Sequence, residues 1–144
     1  MAGSITGATA AYLLSVEGLF DTPIALQGFA VDDVFSTPAI RSAETQMGVD
    51  GFMSAGFVYT EIVQSIAIQA DSDSGSLFDE WWTAQQAAEE LYIANAVVLL
   101  KAINRKWTMT RGVLTSYAPI PDAKKLLQPR KFEITWNTMS PAPV

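Results

Sequence analysis

The chain has 144 residues, of which 49% are hydrophobic and only 17% charged, and its net charge is −6. That length builds one domain, residues 1–144, with a sizeable core, and the apolar excess over an ordinary soluble domain predicts that part of the surface meets another subunit. Cysteine and histidine are both absent, which excludes disulfides, thiolate chemistry and cysteine-based metal clusters and removes the commonest general base and metal ligand.

The opening MAGSITGATAAYLLSV is uncharged and has no basic segment ahead of its apolar stretch, so a secretory signal is not expected. Ala11 to Val16 and Ile24 to Val31 read as two strands, separated by a segment whose Gly18, Asp21 and Pro23 are turn residues; a hairpin is predicted. Asp32 to Gly56 shows no regular pattern and reads as a long apolar loop at about 32–56. It carries Phe35, Ile40, Met47, Phe52 and Met53, too apolar for a solvated linker, and is a candidate contact arm that orders when a neighbour covers it.

Phe57 to Ala70 reads as one long strand, with Val58, Ile62, Ile66 and Ile68 on one side and a semi-polar face of Tyr59, Glu61, Ser65 and Gln69 on the other. The polar run Asp71 to Ser76 announces a helix at about 76–91, with Ser76 and Asp79 as a variant capping box. Leu77, Trp81, Ala84, Ala88 and Leu91 recur at helical spacing along one stripe. A strand at about 94–103 and an Asn104-Arg105 turn lead into a second strand at about 106–117, whose apolar face is Trp107, Met109, Val113 and Tyr117. Arg111 and Leu114 break that alternation. A proline-bearing irregular segment, Ala118 to Gln128, precedes a half-buried strand in which Phe132, Ile134 and Trp136 alternate with polar residues. The sum is a mainly β chain, a sandwich or barrel of about six to eight strands with one flanking helix. The apolar run Leu91 to Leu100 is bounded by Glu90 and Lys101, far short of the ~20 residues of a membrane span, so a soluble protein folding in a cytoplasm is expected.

Little in the chain suggests catalysis. Glu89 and Glu90 are adjacent, and adjacent helical residues diverge by about 100° rather than converging on one bond. Asp71 to Gly75 faintly resembles a calcium loop but lacks the remaining ligand pattern. No Gly-rich phosphate loop occurs. Trp81, Trp107 and Trp136 fall on apolar faces, leaving Trp82 as the exposed ring a sugar-binding module would need. No catalytic, cofactor-binding or metal-ligating residues are therefore assigned. Charge, by contrast, is sharply divided. Residues 1–100 hold 13 acidic groups and only Arg41 as a base; residues 101–144 hold eight bases against Asp122 and Glu133. Pairing within one domain is the main expectation; a head-to-tail contact between copies, using Arg41, Lys124 and Lys125, is the sharper one.

The stretch QSIAIQADSDSGSLFDEWWTAQQAAEELYIANAVVLLKAINRKWTMTRGVLTSYAPIP, in which a strand feeds a capped helix, then a hairpin and a Pro-rich exit, resembles the tail tube proteins of contractile-tailed bacteriophages over nearly the whole chain. The resemblance implies a small β-sandwich or barrel, hexameric rings stacked head to tail around a lumen, and an arm that reaches the neighbouring ring; the type VI secretion tube protein shares this architecture. It implies no catalytic residues, partners in a tail sheath and in baseplate or terminator proteins, DNA in transit rather than bound, and a place in the virion tail after assembly in a bacterial cytoplasm. Inter-subunit contact then falls to Phe35, Ile40, Arg41, Met47, Phe52, Met53, Lys124 and Lys125, and Tyr59, Glu61 and Gln69 are candidates for the lumen. A monomeric carbohydrate-binding sandwich and a hydrolase using carboxylates alone are the competing readings.

Overall fold

The computed structural model describes residues 10–26 and 35–143. Ten strands and one helix follow in chain order: β1 Ala10–Val16, β2 Phe20–Ala25, β3 Phe35–Ser36, β4 Ala43–Met47, β5 Met53–Phe57, β6 Ile62–Ile68, α1 Gly75–Ala88, β7 Ala94–Leu100, β8 Arg105–Tyr117, β9 Arg130–Trp136 and β10 Thr138–Pro143. The fold is thus mainly β with one flanking helix, as the patterning predicts. The expected second strand began at Ile24, whereas β2 begins at Phe20, and the rest of that strand, with the start of the long loop at 32–34, lies outside the described residues.

The main sheet has the order β2-β1-β7-β8-β9-β6-β3, with β10 also paired to β8. Strand β8 carries the architecture. Its first half pairs with β7 and β10 and its second half with β9, so one strand serves two sheet regions that fold over a shared core. The bend lies at Arg111, whose φ is 53°, and at Gly112, where a Cβ would overlap the Trp136 ring. A bulge there inserts an extra residue and inverts the alternation. That is why Leu114 is buried where Val113 was expected.

The core is filled by Tyr12, Leu14 and Val16 of β1, Ile62, Ile66 and Ile68 of β6, Ala96 and Val98 of β7, Met109, and the predicted face Phe132, Ile134 and Trp136 of β9. Gln64 shares the inward face of β6. Its Oε1 accepts from the Tyr12 hydroxyl at 2.6 Å and from Trp136 Nε1–H at 3.3 Å, and its Nε2 donates to Thr37 Oγ1 at 3.3 Å. A buried amide satisfied in this way costs little and fixes one arrangement of three strands. Burial also pushes the Tyr12 phenol well above its usual range.

Helix α1 buries Gly75, Phe78 and Trp81, while Leu77 and Ala84 are half-buried and Ala88 and Leu91 exposed. The stripe expected to run on to Leu91 stops early because the helix ends at Glu89 in a left-handed conformation. Trp81 Nε1–H donates to the Tyr92 carbonyl at 3.0 Å, fastening the reversal into β7. The expected Ser76–Asp79 capping box does not form. Ser76 Oγ donates to the Asp73 carbonyl instead, and the Asp79 carboxylate faces Arg130, a charged donor that outcompetes a backbone amide.

The greatest departure concerns residues 37–61. The segment read as an irregular loop contains the hairpin β4–β5, a separate two-stranded sheet. The long strand expected from Phe57 is correspondingly shorter, and Val58 to Glu61 form a connection. Strand β10 was also missed, because its Pro141 and Pro143 argue against a strand except at an edge, which is where it lies.

Candidate functional site

The hairpin arm stands apart from the core, and every residue of β4 and β5 is exposed. Its register pairs Ala43 with Phe57, Thr45 with Ala55 and Met47 with Met53, and these share one face; Glu44 opposite Gly56 and Gln46 opposite Ser54 make the other. The arm is therefore amphipathic. The turn is closed by Gly48 N–H to the Phe52 carbonyl at 2.8 Å, with Gly51 at φ 88° and the Asp50 carboxylate accepting from Phe52 N–H. At the base, Val58 N–H donates to the Ser42 carbonyl at 3.2 Å and Thr60 Oγ1 to the Arg41 carbonyl at 2.7 Å. Arg41 also pairs with Glu44 at 3.4 Å, both largely solvated.

The structure brings most of the predicted contact residues together here. Ile40, Arg41, Met47, Phe52 and Met53 lie on the arm or at its root, and Phe52 is 77% exposed. Phe35 does not join them: it packs edge-on against Tyr12 in β3. Val49, Phe57 and Tyr59 belong to the same exposed apolar set and were not singled out as contacts. A signal for the hairpin existed in the strict alternation of AETQM and MSAGF around a Gly-Val-Asp-Gly turn. Lys124 and Lys125 lie in the exposed 118–129 segment beside Ile120, Leu126 and Leu127, away from any regular strand.

The predicted lumen residues do not share a strand face. Tyr59 and Glu61 precede β6 and Gln69 follows it, so they sit at opposite ends of that strand, whose outward residues are Val63 and Ser65.

Charges divide along the strands. Leu100 pairs with Ala10 and Arg105, so Lys101, Arg105 and Lys106 crowd one end of the β1–β7–β8 sheet. Glu17 N–H donates to the Ile93 carbonyl at the other end, which places Glu17, Asp21, Glu89 and Glu90 around it. Among the described residues only the Arg130–Asp79 pair, at 2.6 Å, joins the acidic and basic parts of the chain. Among the described residues, pairing within the chain, the main expectation from sequence, thus engages one of the eight C-terminal bases.

That one pair is a structural tie. Arg130 Nη2 donates to Asp79 and to the Tyr117 hydroxyl, Nε donates to the Ala118 carbonyl at 3.0 Å, and the Tyr117 hydroxyl donates to Asp79. The hydrogen bond from Arg130 is the main cause holding the Asp79 carboxyl below its usual range. Burial, then Asp79, pushes the Tyr117 phenol up.

A family model described as tail fiber protein gp32 matches residues 3–140. No curated protein sequence matches the chain. Among solved structures, a chain of the 6-fold symmetrised anti-feeding prophage baseplate aligns over 100% of this chain and 99% of its own, with 14% identity and a TM-score of 0.60. A chain of the anti-feeding prophage tube-terminating cap aligns over 100% and 94% at 10% identity and TM-score 0.62. A chain of the sheath–tube complex of an extracellular contractile injection system aligns over 92% and 88% at 13% identity and TM-score 0.61. At such identities the likeness is one of fold, and it spans 92–100% of the chain.

Proposed function

The chain belongs to the tail fiber protein gp32 family, and from that premise we propose that it is a non-enzymatic tube subunit of a contractile tail. It assembles into hexameric rings that stack head to tail as a conduit through which DNA passes. The observation that carries this reading is the arm. A two-stranded hairpin is marginal in water by itself, yet this one exposes Met47, Met53 and Phe57 on one face, an arrangement suited to cover by a second copy. The fold shared with chains of a baseplate, a tube cap and a sheath–tube complex supports the same role. Sheath and baseplate or terminator proteins are then its partners, the virion tail its location, and a bacterial cytoplasm its place of assembly.

Opposite charges at opposite ends of one sheet suit head-to-tail stacking, since a heterologous contact needs two complementary surfaces on each copy. Lys124 and Lys125 lie in the segment that follows β8, apart from the basic end of that sheet. A bore lined by β6 presents Val63 and Ser65, with Tyr59, Glu61 and Gln69 at its ends and on the paired β9 one base, Lys131, near Glu133, and so offers phosphates no basic track.

Negative-stain microscopy of the purified chain tests the reading: six-fold rings or tubes support it, and a protein that stays at its 15.6 kDa monomer mass overturns it. The family's description as a fiber protein and the baseplate match favour a second reading, a single terminal ring rather than a repeating tube. Discrete rings that never extend, even at high concentration, would select it.

A further inference from the structure

The two sheet regions do not close completely over one another. Between them lies an open cavity of about 210 Å³ lined by Val98 and Leu100 of β7, Trp107 and Met109 of β8, and Met139 of β10, with Phe35, Thr37 and Gln64 opposite. Its walls are overwhelmingly apolar, and its one buried amide, Gln64, already has its partners in Tyr12, Trp136 and Thr37. Two bases with no ion-pair partner among the described residues stand at its end: Lys101 follows Leu100, and Arg105 is the cross-strand partner of Leu100.

The arm tip has the opposite character. Val49 is fully exposed, Phe52 is 77% exposed, and between them stands the exposed carboxylate of Asp50, fixed by its hydrogen bond to Phe52 N–H. We propose that this cavity is the acceptor for the arm tip of a second copy of this chain, the Phe52 ring entering between Leu100, Trp107 and Met139 while Asp50 meets Lys101 and Arg105. The inference rests on the assembly reading above and adds to it the contact that the arm makes.

Size and charge both select this occupant. A cavity of about 150 Å³ lined by aliphatic and aromatic side chains takes up benzene, so the larger space here admits a phenyl ring. Tip and cavity are different surfaces of one chain, and such a heterologous contact propagates from copy to copy until a ring closes or a tube extends. Acid on the knob and base around the socket orient the encounter and disfavour tip-to-tip contact.

The absence of native cysteine permits a direct test. Chains carrying Val49→Cys, which keep the Phe52 ring, are mixed with chains carrying Met139→Cys and oxidised mildly. The expected product is a mixed disulfide dimer, formed on the order of tenfold faster than with a Thr115→Cys control, the enhancement that a steered, oriented contact gives. Asp50→Lys on the first chain should slow cross-linking, and Lys101→Glu with Arg105→Glu on the second should restore it. Val49→Cys homodimers alone, or equal reaction with the Thr115→Cys control, in samples that still form rings or tubes would overturn the cavity contact and leave the tube reading standing. A disulfide formed within a doubly substituted monomer at high dilution would overturn it as well, since the tip would then serve its own chain. Failure of the native chain to assemble at all would remove both.

Discussion

The arm and the helix-docked end of the core are built from similar residues and end in opposite states. Phe78 stacks on Phe132 with ring centroids 4.2 Å apart and has no exposure, whereas Phe57 meets the Tyr59 ring at 4.9 Å and is 72% exposed. The difference is layering. Phe78 stands on a helix laid over a sheet, so it loses water on all sides; Phe57 stands on two strands with no second layer. Apolar surface that the fold does not bury is stability held in reserve for association.

The comparison breaks most sharply if truncation in the two places has similar effects. Phe78→Ala should destabilise the monomer by about 3–5 kcal/mol, the range for deleting a buried aromatic ring, read as a fall in the denaturation midpoint. Phe52→Ala should leave monomer stability within about 0.5 kcal/mol, as expected for a solvated side chain, while abolishing tubes under the microscope. A large stability loss from the arm variant would mean that its tip is already buried on its own chain.

Next in size is the tie between helix and sheet. Arg130→Ala should cost about 1–3 kcal/mol, because the side chain is 9% exposed and its loss leaves Asp79 with only the Tyr117 hydroxyl and takes the Nε donor from the Ala118 carbonyl. The folded state holds the Asp79 carboxyl below its ordinary value, so this contribution is complete above the usual carboxylate range and fades as pH falls through the lowered folded value. Asp79→Asn should flatten that part of the acid melting profile. An unchanged profile would place the acid sensitivity elsewhere.

Excising Ala43–Phe57 and joining Ser42 to Val58, whose backbones already meet at 3.2 Å, should yield a folded subunit with little change in melting temperature and no stacking. Polymerisation like that of the parent would show that the arm is not the contact.

The smallest effect concerns charge. Lys124→Glu with Lys125→Glu should weaken assembly modestly, and added salt should act in the same direction as the Debye length falls toward ~3 Å at 1 M. Tubes indifferent to the double substitution yet weakened by salt would confine the role of charge to the Lys101 and Arg105 end, and indifference to both would remove charge from the contact.

The sequence by itself determined those elements whose pattern is set by one buried face. Phe132, Ile134 and Trp136 announced β9, the Asp/Ser run announced α1, and Asn104 marked the β7–β8 turn; that the arm is apolar was legible in its composition, and that it is exposed came from the structure. The tertiary structure alone decided which apolar residues became core. The bulge at Arg111 shifted burial from Val113 to Leu114, an effect set by the Trp136 ring lying over Gly112, a residue 24 positions away in sequence. Arg130 drew Asp79 out of the helix cap across a separation of 51 residues. Whether the alternation of AETQM and MSAGF met a second layer or solvent could not be read from the strands themselves, because period two shows that a strand has two faces and not what covers either one.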